Sequence, residues 1–353
     1  MTESSNTSPD TAADDAVRAL PAGFSLIAED PELGPSIAAS LELVEARLLD
    51  AIANSDPFAD ATSRHLAQAG GKRIRPLLTL LASHLGPEPA SDKVIQSAVV
   101  VELTHLATLY HDDVMDSAPL RRGAPTAHEV WGNSVAVLTG DLIFARASSL
   151  VSELGGEALG IQARTFERLC MGQLHETVGP YEGQDSLEHY LSVISGKTAS
   201  LIAACGQFGS LFSGADRQAV NIMVEYGEKV GTAFQLADDV IDVTGREAKS
   251  GKTPGTDLRE GVPTLPVLLL RRNAAAGDAE AAAVLELVDG DLSSDAALAA
   301  AVEALRENPA TTEAWAVARQ WSDEAVAALQ PLPDTVVKQA LASFAVAVVE
   351  RDV

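Results

Sequence analysis

The sequence predicts an all-α fold, and three observations support that prediction. Ala and Leu, which rank high in helix propensity, are abundant, while aromatic residues make up only 4% of the chain. From about residue 36 onward, apolar residues recur at i, i+3, i+4 and i+7, most clearly over 37–53. Period-two alternation rich in Val, Ile and Thr is missing, so the sequence predicts no strands.

Residues 1–20 are polar and acidic and lack a hydrophobic period, which predicts a disordered N-terminal tail. The rest, 21–353, is predicted to form a single all-α domain, since 353 residues that are 46% hydrophobic can bury a large core. Gly- and Pro-rich segments such as "GPEP", "SAPLRRGAP" and "GPYEG" separate the helices. After 37–53, the predicted helical runs are 59–69, 73–85, 91–115, 125–154, 157–178, 185–213, 216–244, 263–275, 278–288, 294–306, 310–329 and 334–351.

The formal net charge of −25 argues against nucleic acid as a partner and against electrostatic docking on anionic lipid. Cys170 and Cys205 lie in apolar, helix-like segments without CxxC spacing, which predicts two reduced, buried thiols. We also find no signal peptide and no apolar run of about 20 residues that could span a bilayer. These features predict a cytoplasmic protein without a transmembrane segment.

Two acidic motifs carry the chemistry of this sequence. "HDDVMD" (111–116) and "DDVID" (238–242) each lie near the C-terminus of an unusually apolar helical run, and such helices belong in the middle of a bundle. Helical spacing puts the three carboxylates of each motif on one face, where they repel one another. They also lie near the C-terminal end of the helix, where the helix dipole disfavours negative charge. The carboxylates concerned are Asp112, Asp113 and Asp116 in the first motif and Asp238, Asp239 and Asp242 in the second.

Divalent cations would resolve this repulsion. Magnesium takes oxygen ligands, often one or two carboxylates together with substrate phosphates, so two facing aspartate patches would hold several ions around a diphosphate. A solvated acidic helix end is the alternative for either motif alone. A di-iron bundle would need two Glu-x-x-His units on separate helices, and we find only Glu102-x-x-His105.

Basic residues accompany both acidic motifs, as an anionic substrate would require. Arg forks match phosphate oxygens and Lys acts as a point charge, although Lys and Arg in loops are often only solvated. The relevant stretches are "GGKRIRP" with Lys72, Arg73 and Arg75, "PLRRGAPT" with Arg121 and Arg122, "SGKTAS" with Lys197 and Thr198, and "SGKTPGTD" with Lys252.

The motifs, in this order and spacing, resemble those of the trans-polyprenyl diphosphate synthases over about residues 36–350. The resemblance implies an isoprenoid-synthase-type helical bundle around a central apolar cavity, usually as a homodimer. It also implies a magnesium-dependent prenyltransferase that condenses an allylic diphosphate with isopentenyl diphosphate, with three Mg²⁺ per active site. One departure from the family pattern is "EGVPTLP", where Val262 stands in place of a usual Lys and Arg259 could supply the missing charge.

Roles for individual residues follow from matching these motifs to the family. The direct metal ligands would be Asp112, Asp116 and Asp238, and the supporting ligands Asp113, Asp239 and Asp242. The allylic diphosphate contacts would be Arg121, Lys197 and Lys252, with Gln235 and Thr198 as polar helpers near the reacting carbon. The isopentenyl diphosphate site would comprise Lys72, Arg75, His105 and Arg122.

Product length is expected to depend on the residues one turn before Asp112, namely Ala107 and Thr108. In family members that make short products, this position resembles a plug that closes the product channel. Ala107 is small, which predicts an open channel and a medium or long all-trans product used for quinone side chains. Tyr110 could still narrow the channel. The alternatives are a farnesyl or geranylgeranyl diphosphate synthase, a terpene cyclase, and a non-catalytic subunit of a heteromeric synthase.

Overall fold

A computed structural model of the protein describes residues 23–245 and 254–350. The predicted acidic tail (1–20) and Lys252 lie outside the described residues, so what the sequence indicates about them stays a prediction.

Helices make up nearly all of the regular structure in these ranges. In the N-terminal half they are α1 (Ser25–Glu29), α2 (Leu33–Ala51), α3 (Pro57–Gln68), α4 (Ile74–Ser83), α5 (Asp92–Met115), α6 (Ala127–Trp131), α7 (Asn133–Glu153) and α8 (Gly156–Val178). They continue as α9 (Ser186–Ile194), a π-helical turn (Ser195–Ala199), α10 (Ser200–Phe212), α11 (Arg217–Thr244), α12 (Thr256–Glu260), α13 (Leu265–Ala275), α14 (Ala279–Val288), α15 (Asp295–Glu307), α16 (Pro309–Ala328) and α17 (Val336–Val349). The all-α prediction is confirmed.

One small antiparallel pairing corrects the prediction that the chain has no strands. The strands β1 (Leu120–Arg121) and β2 (Ala124–Pro125) pair with Leu120 opposite Pro125. The residues between them, Arg122 and Gly123, have φ of 54° and 78°. Such a two-residue turn with positive φ suits a tight hairpin. Strands of two residues are too short to produce a period-two pattern, which is why the sequence did not reveal them.

Two predicted helical runs are interrupted in the structure. The run 125–154 divides into α6 and α7 at Gly132, whose φ is 83°. The run 185–213 contains the π-helical turn Ser195–Ala199 between α9 and α10. Turns of this kind are rare inside α-helices and occur often at functional sites. Here the π turn carries Lys197 and Thr198.

The described residues group into two compact units. Of these residues, the first unit comprises 23–167, Leu201–Gly227 and Pro331–Leu341, and the second comprises Arg168–Ser200, 228–245, 254–330 and 342–350. The single domain over 21–353 therefore stays a prediction.

The core of the first unit surrounds α5, which packs against α2, α4 and α7. Ser91 caps the N-terminus of α5, since its hydroxyl accepts from the Val94 amide at 3.3 Å. Leu103, Leu106 and Ala107 on α5 are fully buried in this core. Because α5 ends at Met115, its buried shaft delivers the first acidic motif to one end of the core.

In the second unit, α13 packs against α9, α14 and α16. Thr264 precedes α13 and Pro266 occupies its first turn, where proline is well tolerated. The run 265–270 is buried throughout, which makes α13 the central apolar helix of this unit.

Helix α7 is long and apolar enough to cross a membrane when judged by length and composition alone. Its charged residues are Asp141, Arg146 and the terminal Glu153, and 33% of its most apolar window is buried. By length and composition, α7 is therefore an apolar run of about 20 residues, which the sequence analysis did not expect. A single helix of this kind is weak evidence for membrane insertion.

The two cysteines differ in their environment. Cys205 is buried on α10, and its Sγ lies 3.1 Å from the Leu201 carbonyl oxygen. Burial raises the pKa of the Cys205 thiol to about 12, which keeps it protonated. Cys170 is exposed on α8. The prediction of a buried thiol is therefore correct for Cys205 and wrong for Cys170, which lies on the exposed face of an otherwise apolar helical segment.

Candidate active site

The first acidic motif occupies the last turn of α5, and its three carboxylates have different environments. Asp112 is partly buried and Asp116, the C-cap, is exposed. Asp113 is 1% exposed and accepts a hydrogen bond of 2.7 Å from Nε of Arg121. Burial raises the pKa of Asp113, and the neighbouring Arg121 opposes that effect. Asp112 and Asp116 are thus accessible to a ligand, whereas Asp113 binds Arg121 of the β1–β2 hairpin.

The segment "GGKRIRP" lies beside this motif in the first unit and brings arginines together through unusual backbone conformations. Arg73 and Arg122 adopt left-handed φ values of 48° and 54°, which are uncommon for residues other than glycine. A Cβ on Gly71 would lie 2.8 Å from Cζ of Arg122, so the glycine makes room for that guanidinium. Such strain concentrates at functional sites.

Arg73 serves the structure of this cluster. Its guanidinium lies 2.8 Å from Glu45 and 3.0 Å from the buried Glu102, and it also donates to the Ala67 carbonyl oxygen at 3.2 Å. Its donors are therefore committed to the protein. Lys72, one residue earlier, is exposed and lies at the N-terminal approach to α4.

Arg75 and His105 are partly buried members of the same cluster. The Nε of Arg75 is buried and has no hydrogen-bond partner among the described residues. Burial lowers the pKa of Arg75, while Glu102, Cys205 and Asp112 raise it. Burial and the surrounding arginines hold the pKa of His105 well below its ordinary value, so this imidazole is neutral at pH 7. A guanidinium whose buried Nε has no partner among the described residues fits an anion that the protein does not itself supply.

The second acidic motif, in the second unit, follows the same accessibility pattern. Asp238 and Asp242 are partly buried, while Asp239 is 5% exposed. Asp242 accepts from the Asp257 amide at 3.2 Å, which ties the motif to the start of α12. Burial raises the pKa of Asp239 to about 6.

The π turn places the two polar residues of "SGKTAS" near the second motif. Thr198 donates its hydroxyl to Gln235 Oε1 at 3.1 Å. Lys197 forms an ion pair with Glu176 on α8. Gln235 in turn lies one helical turn before Asp239 on α11. The structure therefore brings together Thr198, Gln235 and Asp239 of the second motif, and the roles assigned to them and to Lys197 stay predictions.

The aspartates fit a divalent cation that is shared with substrate oxygens. No three His, Cys, Asp or Glu side chains within 23–245 and 254–350 gather into a metal-binding group by themselves. Magnesium is usually held by one or two carboxylates, waters and substrate phosphates, not by a complete protein cage. Asp112 and Asp116 are all-oxygen donors on the accessible face of one helical turn, and Asp238 is a comparable donor in the second unit.

The departure at Val262 lies on a cavity of about 640 Å³ in the second unit. Val262, Arg259 and Arg271 contribute to its lining. Arg259, which the sequence offers as a substitute for the missing Lys, is paired with Asp295 at 2.6 Å. Its role as that substitute stays a prediction.

The profile of the family described as polyprenyl synthetase matches residues 56–305. The chain belongs to the polyprenyl synthetase family. The chain is 44% identical over 315 residues to a nonaprenyl diphosphate synthase of Mycobacterium tuberculosis, covering 89% of this chain and 93% of that relative. This membership confirms the resemblance drawn from the motifs and the assignment to the prenyltransferases.

Solved structures of the same family are similar in fold. A geranylgeranyl pyrophosphate synthase of Corynebacterium glutamicum, complexed with calcium and isoprenyl diphosphate, is 42% identical with a TM-score of 0.82, over 92% of this chain and 98% of that one. A decaprenyl diphosphate synthase of Rhodobacter capsulatus is 34% identical with a TM-score of 0.79, over 89% and 97% of the two chains. The isoprenoid-synthase-type helical fold is confirmed, while the central cavity and the individual residue roles stay predictions.

Three polar residues of the second unit were not singled out by sequence reasoning. Arg168 donates to the Ser195 carbonyl oxygen at 3.0 Å, Glu176 pairs with Lys197, and Tyr190 donates its hydroxyl to Asp239. The only available signal was spacing, because Tyr190 lies two helical turns before Lys197. Isolated polar residues on amphipathic helices usually face solvent, so this signal alone was not sufficient.

Proposed function

We propose that this member of the polyprenyl synthetase family is a magnesium-dependent synthase that extends an allylic diphosphate with isopentenyl diphosphate. The observation that carries the proposal is the pairing of accessible aspartates, Asp112 and Asp116, with Arg75, whose buried Nε has no hydrogen-bond partner among the described residues. An apolar substrate would not need a buried cation, whereas a diphosphate requires both metal and arginine. A related synthase bound with calcium and isoprenyl diphosphate supports a divalent metal.

The residues divide between two substrates in this proposal. Asp112, Asp116 and Asp238 would hold Mg²⁺, with three ions per site, and bound magnesium supplies positive charge against a diphosphate leaving group. Arg121 and Lys197, together with Lys252, contact the allylic diphosphate. Lys72, Arg75, His105 and Arg122 bind isopentenyl diphosphate. Neutral His105 contributes a hydrogen bond and adds no further charge to this arginine-rich cluster.

The reaction follows from these roles. Arg121 and Lys197 stabilise negative charge as the allylic C–O bond breaks and the diphosphate departs. The arginine cluster orients isopentenyl diphosphate so that its double bond attacks the allylic cation, to which positioning contributes strongly. Apolar surroundings exclude water that would quench the cation. The proton that is lost goes to the departed diphosphate, since within 23–245 and 254–350 no side chain near either motif is placed as an obvious base.

We propose a medium or long all-trans product of about thirty to fifty carbons for quinone side chains. Ala107 is small and fully buried on α5, one turn before the first motif. Tyr110, which could narrow the channel, is also fully buried, and its hydroxyl donates to the Thr62 carbonyl oxygen at 2.6 Å. The tyrosine is therefore held against α3. The nonaprenyl synthase relative supports this product length.

A shorter product is the second candidate, because the geranylgeranyl pyrophosphate synthase of Corynebacterium glutamicum is 42% identical to this chain. That identity is close to the 44% of the nonaprenyl relative, so overall similarity does not separate the two lengths. The residues at 107 and 108 do favour the longer product.

We further propose that the enzyme is a cytoplasmic homodimer. Helix α7 exposes apolar side chains at Val137 and Leu138, and Leu138 is 65% exposed. We infer an interface from this exposure, because large exposed apolar patches mark protein–protein contacts. A second copy of the chain would bury these apolar side chains, so that α7 would not have to be buried in a membrane.

The test is a product assay with purified protein, Mg²⁺, labelled isopentenyl diphosphate and farnesyl diphosphate, with chains sized after dephosphorylation. We expect long chains that disappear with EDTA and in Asp112→Asn. The matched control is Asp50→Asn, which changes an exposed aspartate on α2. Products that stop at fifteen or twenty carbons would retain the enzyme class and reject the long product. Cyclic hydrocarbon would indicate a terpene cyclase, and no product at all would favour a non-catalytic subunit.

A further inference from the structure

Four side chains of the second unit form a continuous chain of hydrogen bonds. The hydroxyl of Tyr190 donates to Oδ2 of Asp239, and Nε2 of Gln235 donates to its Oδ1 at 3.1 Å. The hydroxyl of Thr198 donates to Oε1 of Gln235 at 3.1 Å. Gln235 and Asp239 are one turn apart on α11, while Tyr190 and Thr198 lie on the continuous segment formed by α9 and the π turn. The backbone of that segment closes the chain of bonds into a ring.

Both oxygens of the Asp239 carboxylate, at the centre of this ring, accept hydrogen bonds from other side chains of the protein. Asp239 is 5% exposed, and the Leu265 amide also approaches its Oδ2 at 3.4 Å. Burying a carboxylate is costly unless hydrogen bonds replace its water, so the donors around Asp239 are needed for its burial. Asp238, the preceding residue, is more accessible. The buried aspartate thus fixes the rotation of the helix that presents Asp238.

The π turn is held from its other side as well. A Cβ on Gly172 of α8 would lie 2.6 Å from the backbone nitrogen of Lys197, so α8 approaches the turn very closely. Arg168 donates to both the carbonyl oxygen and the hydroxyl of Ser195, at 3.0 and 2.9 Å. With α8 on one side and the hydrogen-bonded ring on the other, the turn has little freedom to rotate.

We propose that Tyr190 is a positioning residue that sets the register between the second acidic motif and the π turn. Through Asp239 and Gln235, its hydroxyl holds Asp238 and Lys197 at a defined separation. This inference rests on the proposed function, in which Asp238 binds metal and Lys197 contacts the allylic diphosphate. In this proposal Tyr190 contacts neither the metal nor the diphosphate, since its hydroxyl donates its hydrogen to Asp239.

The test compares Tyr190→Phe with Tyr226→Phe. Tyr226 is a fully buried tyrosine on α11 whose hydroxyl donates to the Leu341 carbonyl oxygen at 2.7 Å, so the control also removes one buried hydrogen bond. In Tyr190→Phe we expect the Mg²⁺ concentration for half-maximal activity and the KM for the allylic diphosphate to rise about tenfold. The KM for isopentenyl diphosphate should stay within about twofold, because its predicted site lies in the first unit.

A second readout does not depend on turnover. Inorganic diphosphate and Mg²⁺ should raise the Tm of the wild-type protein and of Tyr226→Phe, and should raise that of Tyr190→Phe much less. Equal Tm shifts in both variants, or equal rises in both KM values, would overturn the proposal and leave Tyr190 a purely structural residue.

A second pair of variants covers the case in which Tyr190→Phe does not fold. Thr198→Ser keeps the hydroxyl at the other end of the ring and should retain the Tm shift with Mg²⁺ and inorganic diphosphate, while Thr198→Val should lose that shift. Because inorganic diphosphate has no reacting carbon, this readout does not depend on the role of Thr198 near that carbon. Equal responses would overturn the proposal. If the wild-type protein fails to condense substrates, the proposed function is wrong, and the Tm measurement with inorganic diphosphate still tests the role of Tyr190.

Discussion

Arg121 and Asp113 form an ion pair at the end of the first acidic motif, with Nη2 of Arg121 2.7 Å from Oδ1 of Asp113. The carboxylate is 1% exposed and the guanidinium 31% exposed. Eight residues separate the partners along the chain. This pair joins the last turn of α5 to the β1–β2 hairpin, so the middle aspartate holds in place the arginine that we propose contacts the allylic diphosphate.

The variant Asp113→Asn should therefore lower stability as well as activity. Arg121 loses its counter-charge while one partner stays buried, which should cost about 1–3 kcal/mol after allowance for the exposure of the arginine. Urea unfolding measures this cost. Asp116→Asn is the control, because an exposed carboxylate should change stability by less than about 0.5 kcal/mol while the Mg²⁺ dependence is lost. Equal stability losses in the two variants would contradict this division of roles.

Two glycines of α8 should respond to alanine in opposite directions. A Cβ at Gly172 would meet backbone atoms of the π turn, at 2.6 Å from the Lys197 nitrogen and 3.0 Å from the Gly196 carbonyl carbon. Gly172→Ala should destabilise by about 1–3 kcal/mol and reduce activity. At Gly160 the added atom would meet only the flexible end of Arg164, at 3.2 Å. Gly160→Ala should stabilise by about 0.5–1 kcal/mol through higher helix propensity. Thermal unfolding distinguishes them, and a stabilising Gly172→Ala would refute the close approach.

His105 should make the protein less stable as the pH falls below neutrality. Its pKa in the folded protein lies well below the ordinary value of 6.5, owing to burial and the neighbouring arginines. The unfolded chain therefore takes up a proton below pH 6.5 that the folded protein refuses, and stability is lost in that direction, by at most about 1.4 kcal/mol per pH unit. His105→Gln removes this contribution. We expect the urea midpoint of the wild type to fall more steeply than that of His105→Gln between pH 7.5, 6.5 and 5.5. A difference between the two midpoints that stays constant over this range would refute the prediction.

Product length should respond to bulk at position 108 without loss of the fold. Thr108 is partly exposed, so Thr108→Phe has room and should shorten the product by several isoprene units through steric blocking of the growing chain. Ala107→Phe should also shorten it, but that position is fully buried, so overpacking should cost about 1–3 kcal/mol. Chain sizing and thermal unfolding test the two effects separately. An unchanged product in both variants would show that neither residue lines the channel.

The sequence alone determined the helical class and the family, and it named the candidate site residues whose roles stay predictions. Helical periodicity is a local property, and the aspartates at i, i+1 and i+4 share one helix face wherever that helix lies. Placing Asp112 and Asp116 on one face of a helical turn therefore required no knowledge of distant residues. The short strand pairing and the π turn escaped detection, since neither is long enough to produce a periodic pattern.

Tertiary structure decided which carboxylates are accessible and what holds them. Helical spacing treats Asp112 and Asp113 alike, yet packing of α5 buries Asp113 and leaves Asp112 partly exposed. Tyr190 and Asp239 are 49 residues apart, and only the packing of α9 against α11 joins them. The left-handed conformation of Arg73 likewise depends on Glu45 and Glu102, which lie 28 and 29 residues away. Contacts at such separations depend on how helices pack, and local spacing carries no information about that packing.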